Sequence, residues 1–276
     1  MVAAERVAAT VAQGVHGRRR VGQGDSFWQF RPFVAGDTMT RIDWRQSAKS
    51  DRSFVRETEW EAAQTVCLWR DGSASMRWRS EPGLPEKREQ ADLLLLALAA
   101  LLLRGGERVI MVEPGARPVW GGAGLERLAA MLEQGAAAES DVTASGLPPA
   151  IDLPRQARLV LFGDFLSPLE QIHAAIGRLA AIPVSGHVLQ VLDPAEALLP
   201  YTGRVRFFGL RREVDTLLPR VESVRDKYTK RLAAHQQGLA AICSAAGFTF
   251  GVHQTDAGPE TALLGLYTAL APNEVR

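Results

Sequence analysis

The amino-acid sequence predicts an α/β fold of the doubly wound class: a mostly parallel sheet flanked by helices, with an N-terminal accessory segment. Short continuous apolar runs, such as "QTVCLW" and "RLVLFGD", alternate along the chain with segments of helical length. Two of these runs are closely followed by an aspartate, Asp71 and Asp164. Apolar strands that alternate with helical segments are typical of parallel sheets covered on both faces.

The N-terminal accessory segment, residues 1–62, differs from the rest of the chain in composition. Residues 1 to about 15 are predicted to form a short amphipathic helix, which glycines and arginines at 17–25 interrupt. From residue 26 the segment is dense in aromatic and charged side chains and shows no long helical period, which indicates short extended pieces joined by turns. We therefore place a domain boundary at residue 62.

Strands and helices alternate through the main domain, residues 63–276. A long apolar helix is predicted over 86–104, where Gly105 and Gly106 end it. Further helices are predicted at 125–134, 168–181, 213–246 (with an interruption) and 260–270. The predicted strands are "QTVCLW", "RVIMVE", "RLVLFGD", "VSGHVLQVLD", "GRVRFFG" and "FTFGVHQT", with "RPVWGG" as a possible short one.

Composition excludes several classes of protein. A chain of 276 residues that is 46% hydrophobic can bury a sizeable core, and a net charge of +1 gives no general reason to expect nucleic acid or a membrane surface as partner. Cys67 and Cys243 form no disulfide framework and have no metal-binding spacing. The most apolar run, residues 93–103, is shorter than the roughly 20 residues of a membrane helix, and no signal peptide is evident. We expect a cytoplasmic protein.

The two aspartates predict a metal site. Doubly wound folds bind ligands at the carboxyl ends of their strands, where Asp71 and Asp164 are expected to meet. In "DGSAS" the alternate side chains of Asp71, Ser73 and Ser75 can point the same way and offer hard oxygen ligands to Mg²⁺ or Mn²⁺. The alternative for the loop alone is a helix cap, which aspartate and serine also favour.

The sequence gives less support for an enzymatic function. Ser73 lacks the flanking glycines of a nucleophile elbow, and it stands where phosphatases of the haloacid dehalogenase type carry their second aspartate. No phosphate-binding loop or dinucleotide fingerprint is present. We expect a non-enzymatic protein. A metal-dependent hydrolase of the phosphoesterase type, using the same carboxylates, and a purely structural module with a degenerate metal site remain the alternatives.

Aromatic and charged residues of the accessory segment form a candidate partner-binding surface. The alternative is that the aromatics pack on the sheet while Asp43, Arg45 and Arg56 make internal ion pairs. Stacking on single-stranded nucleic acid is a third reading, which the interspersed aspartates disfavour. The candidate surface residues are Trp28, Arg31, Asp43, Trp44 and Arg45.

Two stretches resemble known families. "DGSASM" after a strand resembles the D-x-S-x-S that begins the metal-ion-dependent adhesion site of von Willebrand factor A domains. The block before it resembles the signature of the bacterial family called domain of unknown function 58. Its elements appear here as Gly22-Gln23-Gly24, Phe27, Arg31-Pro32-Phe33, Gly36-Asp37, Ile42-Asp43-Trp44-Arg45 and Ser47-Ala48-Lys49.

This resemblance implies a von Willebrand A-like fold and a metal site made by Asp71, Ser73, Ser75, Thr143 and Asp164, with Ser145 as the alternative to Thr143. A partner's acidic side chain would complete the metal shell. The family implies an adaptor or co-chaperone that acts with a MoxR-type AAA+ ATPase on a client protein. Two residues depart from the family pattern. Arg70 stands where an apolar residue is usual, and Lys49 stands where an arginine is usual.

Overall fold

The structure is a computed structural model that describes residues 1–14, 26–34, 37–50, 52–59, 63–138, 146–210 and 215–270. The chain divides into two compact units, one of Met1–Gly14 with Gln64–Arg276 and one of Val15–Ala63. This division differs from the boundary predicted at residue 62 by one residue at Ala63 and in the placement of the N-terminal helix. The N-terminal helix packs with the larger unit, against two of its helices.

The larger unit alternates strands and helices as the sequence predicts. It begins with α1 (Val2–Gly14). The smaller unit then supplies β1 (Ser26–Pro32), α2 (Trp44–Ser47) and β2 (Phe54–Glu59). The larger unit continues with β3 (Thr65–Arg70), α3 (Lys87–Arg104), β4 (Arg108–Met111), α4 (Gly122–Ala138), β5 (Arg158–Gly163), α5 (Leu169–Ala180), β6 (Ser185–Leu192), α6 (Pro194–Leu198), β7 (Val205–Phe207), β8 (Thr216–Leu218), α7 (Glu222–Ala245), β9 (Phe248–Gln254) and α8 (Pro259–Ala269).

The central sheet confirms the predicted fold class. Its five strands lie in the order β4-β3-β5-β6-β9, and every neighbouring pair is parallel. Numbered along the sheet's own strands, this is the 2-1-3-4-5 order of a doubly wound fold. The chain moves from β3 to one side and then returns to the other, so the topological switch point lies between β3 and β5. Ligands of such folds bind in the crevice at that point.

Both faces of the sheet are covered, which explains the continuous apolar strands. One buried cluster joins Cys67, Leu159 and Leu161 to residues of α5 and α7. Because side chains alternate along a strand, the buried Leu68 and Phe162 point to the other face, where α3 contributes a buried leucine run. On α3 pack α1 and α8. Burial on two faces leaves no solvent-facing alternation in β3 and β5.

The smaller unit contains an antiparallel pair, β1 and β2, with a bulge between Phe27 and Gln29. Ile42 bridges to Val55 of β2, and both side chains are buried. A short 3₁₀ turn at Met39–Arg41 precedes α2. These are the short extended pieces and turns that the sequence predicts.

The predicted start of one helix was wrong. The helix expected from residue 213 begins at Glu222, and β8 pairs with β7 just before it. Pro219 follows β8 directly, and a proline disfavours helical backbone in the residue before it. The short helix α6 was not predicted, although "DPAE" carries its start signal: Asp193 caps it and Pro194 occupies its first turn.

A substitution tests how closely β6 and β9 pack. An added Cβ at Gly186 would lie 2.7 Å from the ring of Phe248, its partner in β9. Gly186→Ala should therefore lower the free energy of unfolding by about 1–2 kcal/mol, as overpacking does. Gly177→Ala is the matched control, because a Cβ at this exposed helical position meets nothing within 4 Å. It should stabilise by about 0.5–1 kcal/mol. Urea denaturation of both variants measures the two effects, and equal effects would contradict the packing argument.

Candidate metal and partner site

The predicted aspartates meet at the switch point, the carboxyl edge of β3 and β5. Asp71 follows β3 and extends the ladder, because its amide donates to the carbonyl of Phe162 at 2.8 Å. Asp164 follows β5 after Gly163, where an added Cβ would lie 3.1 Å from the Cβ of Asp71. The glycine thus permits the two strand ends to approach closely. Both carboxylates are buried.

The loop after β3, residues 71–76, brings its hydroxyls to the same place. The Asp71 Oδ1 atom accepts a hydrogen bond from the amide of Ser73 at 2.7 Å, which folds the loop. The hydroxyl oxygens of Ser73 and Ser75 lie 3.1 Å apart, and the Ser75 hydroxyl donates to Oδ2 of Asp164 at 2.5 Å. Four of the predicted site residues therefore converge. Thr143 and its alternative Ser145 lie outside the described residues.

The site contains a cation that the sequence analysis missed. Lys87, the first residue of α3, is completely buried. Its Nζ lies 3.2 Å from Oδ2 of Asp164 and 2.6 Å from Oε1 of Glu196. Burial alone would lower the pKa of Lys87, but the carboxylates of Asp164 and Glu196 outweigh it and raise that pKa above its ordinary 10.5. The ammonium is therefore charged at neutral pH.

The first turns of two helices hold this ion pair in place. At the start of α3, Glu86 and Glu89 form a reciprocal capping box that fixes the turn carrying Lys87. At the start of α6, Asp193 and Glu196 form a second capping box. Asp193 also accepts from the amide of Ser80 at 2.9 Å, which joins α6 to the segment after the loop.

Hydrogen bonds from neighbouring elements fix the backbone around the site. Gln190 of β6 donates to the carbonyl of Asp164 at 2.8 Å, and Gln236 of α7 donates to Gln190 at 2.9 Å. The hydroxyl of Tyr228 donates to the carbonyl of Glu196 at 2.6 Å. Burial, together with the Glu196 carboxylate, raises the pKa of Tyr228 to about 12. The phenol therefore stays a donor throughout the physiological range.

Arg70, which departs from the family pattern, forms an ion pair with a residue of α3. Its Nε lies 2.8 Å from Oδ1 of Asp92, and its Nη1 donates to the backbone carbonyl of Asp71 at 3.3 Å. The Arg70 side chain is almost completely buried. Its charge is thus matched by a carboxylate of α3, and its bond to the carbonyl of Asp71 helps to fix the start of the loop.

The five candidate partner-binding residues of the smaller unit play different parts. Arg31 makes a two-pronged ion pair with Asp37 at 2.6 and 2.7 Å. Asp43 caps α2 by accepting from the amide of Gln46 at 2.9 Å. Trp44 is 66% exposed, and Arg45 is also exposed. Trp28 lies in β1, and its side chain is outside the described part of the structure.

The donor set fits a hard divalent cation in spacing and in chemistry. Two ligands on adjacent positions of a magnesium octahedron lie about 3 Å apart. The hydroxyl oxygens of Ser73 and Ser75 have this separation. Within the described ranges no three His, Cys, Asp or Glu side chains are grouped as a metal site. The set here combines two carboxylates with two hydroxyls, and a cleft of ≈ 290 Å³ lined in part by Asp71 and Gly72 opens beside it.

Comparison with known proteins gives a family but no activity. Uncharacterized proteins of Mycobacterium bovis and Mycobacterium tuberculosis are 26% identical over 240 residues, which cover 82% of this chain and 73% of theirs. An aerotolerance-related membrane protein from Bacteroides fragilis is a similar solved structure, at 16% identity and a TM-score of 0.38, covering 75% of this chain and 98% of that one. The conserved hypothetical protein BatB from Bacteroides thetaiotaomicron is similar at 15% identity, with the same TM-score and coverage.

No helix in the described part of this chain combines the length and apolar character that crossing a membrane requires. The family model described as "Protein of unknown function DUF58" matches residues 29–238, well over half of the sequence. The chain therefore belongs to the DUF58 family of proteins of unknown function.

Proposed function

We propose that this protein is a non-enzymatic, metal-dependent protein-interaction module of the von Willebrand A type. The observation that carries the proposal is the convergence of Asp71, Ser73, Ser75 and Asp164 at the switch point of the sheet. These residues would hold Mg²⁺ or Mn²⁺, with Thr143 or Ser145 as a further ligand. A bound divalent cation supplies a coordination position for an acidic side chain of a partner.

The chain's own residues would orient this binding. The hydrogen bond from the Ser73 amide holds the Asp71 carboxylate, and the Ser75 hydroxyl is held by Asp164. On the smaller unit, the exposed Trp44 and Arg45 are proposed as a separate partner-binding surface. The partner we propose is a MoxR-type AAA+ ATPase in the cytoplasm, with this protein as its adaptor or co-chaperone toward a client protein.

Three histidines are not assigned an acid–base part in this proposal, because each is hydrogen-bonded outside the four-residue donor set. His187 hydrogen-bonds to Thr249, and His253 hydrogen-bonds to Gln90. His235 hydrogen-bonds to the backbone carbonyl of Phe165. A hydrolase would need a group within hydrogen-bond reach of the proton that it transfers. These three imidazoles are instead engaged by residues outside the four-residue donor set.

The test is calorimetric titration of Mg²⁺ and of Mn²⁺ into the wild type and into Asp71→Ala. We expect the wild type to bind and the variant to bind more than about tenfold more weakly, since even the loss of an outer-shell partner commonly costs tenfold in metal affinity. Asp226→Ala is the control, because this carboxylate is exposed on α7 and is not one of the four donor residues. Retention of the ATPase on immobilised protein should then require the metal and be abolished by a chelator.

Two results would overturn the proposal. Binding of neither cation by the wild type, with and without a carboxylate such as acetate, would favour the structural module with a degenerate site. Turnover of p-nitrophenyl phosphate that requires the metal and disappears in Asp71→Ala would favour the metal-dependent hydrolase.

A further inference from the structure

The Lys87 ammonium lies directly against a carboxylate of the proposed metal site. It shares the Oδ2 atom of Asp164 with the hydroxyl of Ser75, and it also contacts Glu196 of α6. The Lys87 and Asp164 side chains are 0% and 1% exposed, so solvent screens their interaction little. This ammonium is thus a resident positive charge at the place where a cation is proposed to bind.

We propose that Lys87 sets the order of binding at this site: it keeps the affinity for the divalent cation low and makes the loaded site receptive to an acidic group. This inference rests on the proposed function. Like charges in a poorly solvated site repel strongly, so the ammonium opposes entry of a second cation. The Asp164 oxygen that it contacts is also partly neutralised as a ligand.

A charge count shows why the same residue favours an acidic partner. Asp71, Asp164 and Glu196 contribute three negative charges and Lys87 one positive charge, so these four groups total −2. A divalent cation brings that total to zero, and a partner's carboxylate then approaches without net repulsion. Without Lys87 the loaded cluster would total −1 and repel the carboxylate. Other charged groups shift both totals equally, so the difference of one unit remains.

The cation and the acidic group should therefore bind with positive coupling. At a fixed concentration of the acidic group, its enhancement of cation binding should be larger when Lys87 is present, because the loaded site then binds the carboxylate more tightly. Coupling is reciprocal, so a carboxylate should raise the affinity for the cation by the same factor as the cation raises the affinity for the carboxylate. A purely structural role for Lys87, holding α3 and α6 to the end of β5, would change stability and leave the affinities for the cation and for the acidic group unaltered. The two roles are thus separable by measurement.

The experiment is Mg²⁺ titration by calorimetry, with and without acetate as the acidic probe, on the wild type, Lys87→Met and Glu196→Gln. In the absence of acetate we expect Lys87→Met to bind Mg²⁺ at least about tenfold more tightly than the wild type. At one fixed acetate concentration, acetate should enhance Mg²⁺ binding in the wild type, and this enhancement should be smaller in Lys87→Met. Glu196→Gln should bind Mg²⁺ more weakly than the wild type, because the Lys87 ammonium is then paired with Asp164 alone. Lys230→Met, at an exposed lysine of α7, controls for the loss of one positive charge.

The inference fails if folded Lys87→Met binds Mg²⁺ with the affinity and acetate dependence of the wild type, and the proposed function then stands. It fails together with the proposed function if no variant binds Mg²⁺ under either condition. If Lys87→Met does not fold, Lys87→Met/Glu196→Gln is compared with Glu196→Gln. The double variant removes one charge of each sign, and tighter binding than in Glu196→Gln is the expected result. Equal binding would overturn the inference.

Discussion

Lys87→Met is expected to lower the free energy of unfolding by about 3–5 kcal/mol, the cost of removing one partner from a buried ion pair. Methionine matches the lysine chain in length, so the change removes the charge and leaves most of the packing. It takes from Asp164 and Glu196 the ammonium that they share. Urea denaturation followed by circular dichroism measures the loss, provided that the dependence on denaturant is the same in both proteins.

Two further variants separate the ion pair from the packing around it. Glu196→Gln keeps a hydrogen-bond acceptor near Asp193 and leaves Lys87 paired with Asp164, so we expect a smaller loss than in Lys87→Met. Lys87→Met/Glu196→Gln should be more stable than the sum of the single losses predicts, because it leaves one fewer buried carboxylate without a cation. If Lys87→Met lowers the free energy of unfolding by less than about 1 kcal/mol, the stability of the folded site does not depend on the charge of Lys87.

The sequence predicts the four donor residues of this site because each of them has a local signal in the sequence. Asp71 and Asp164 each follow an apolar run, and Ser73 and Ser75 share a side of one short loop. Parallel strands place their carboxyl ends at one edge, so the meeting of the two aspartates follows from fold class alone. The strand order that makes this edge a crevice could not be read from the sequence, since it depends on pairings between distant segments.

Lys87 was missed because a lysine at the start of a helix is usually solvated. Its partners, Asp164 and Glu196, lie 77 and 109 residues away in sequence. A signal was nevertheless present. Lys87 has the helical spacing of Ala91 and Leu94 and therefore lies on the buried face of α3. A charge on the apolar face of a core helix calls for an opposite charge in the tertiary structure.

Acidification should destabilise the protein through His187, a buried residue of β6. Its Nδ1 lies 2.7 Å from the hydroxyl of Thr249, and its Nε2 would lie 3.2 Å from a Cβ at Gly251. Burial lowers the pKa of His187 from 6.5 to about 4, so the unfolded chain takes up the proton first as the pH falls. The contribution of the neutral His187 to the free energy of unfolding is fully present above pH 6.5 and is lost progressively as the pH falls toward 4. The full loss is about 3 kcal/mol.

The measurement is the free energy of unfolding between pH 7 and pH 4 in the wild type, in His187→Gln and in His173→Gln. The glutamine at 187 cannot take up a proton, so we expect a shallower pH dependence in that variant whatever its stability at pH 7. His173 is exposed on α5, and its variant should keep the wild-type slope. Burial also lowers the pKa of His253, against the opposing effect of Asp256, so part of the slope should persist in His187→Gln. Parallel curves for the wild type and His187→Gln would show that this imidazole is protonated in the folded protein at no cost, which its burial between β6 and β9 argues against.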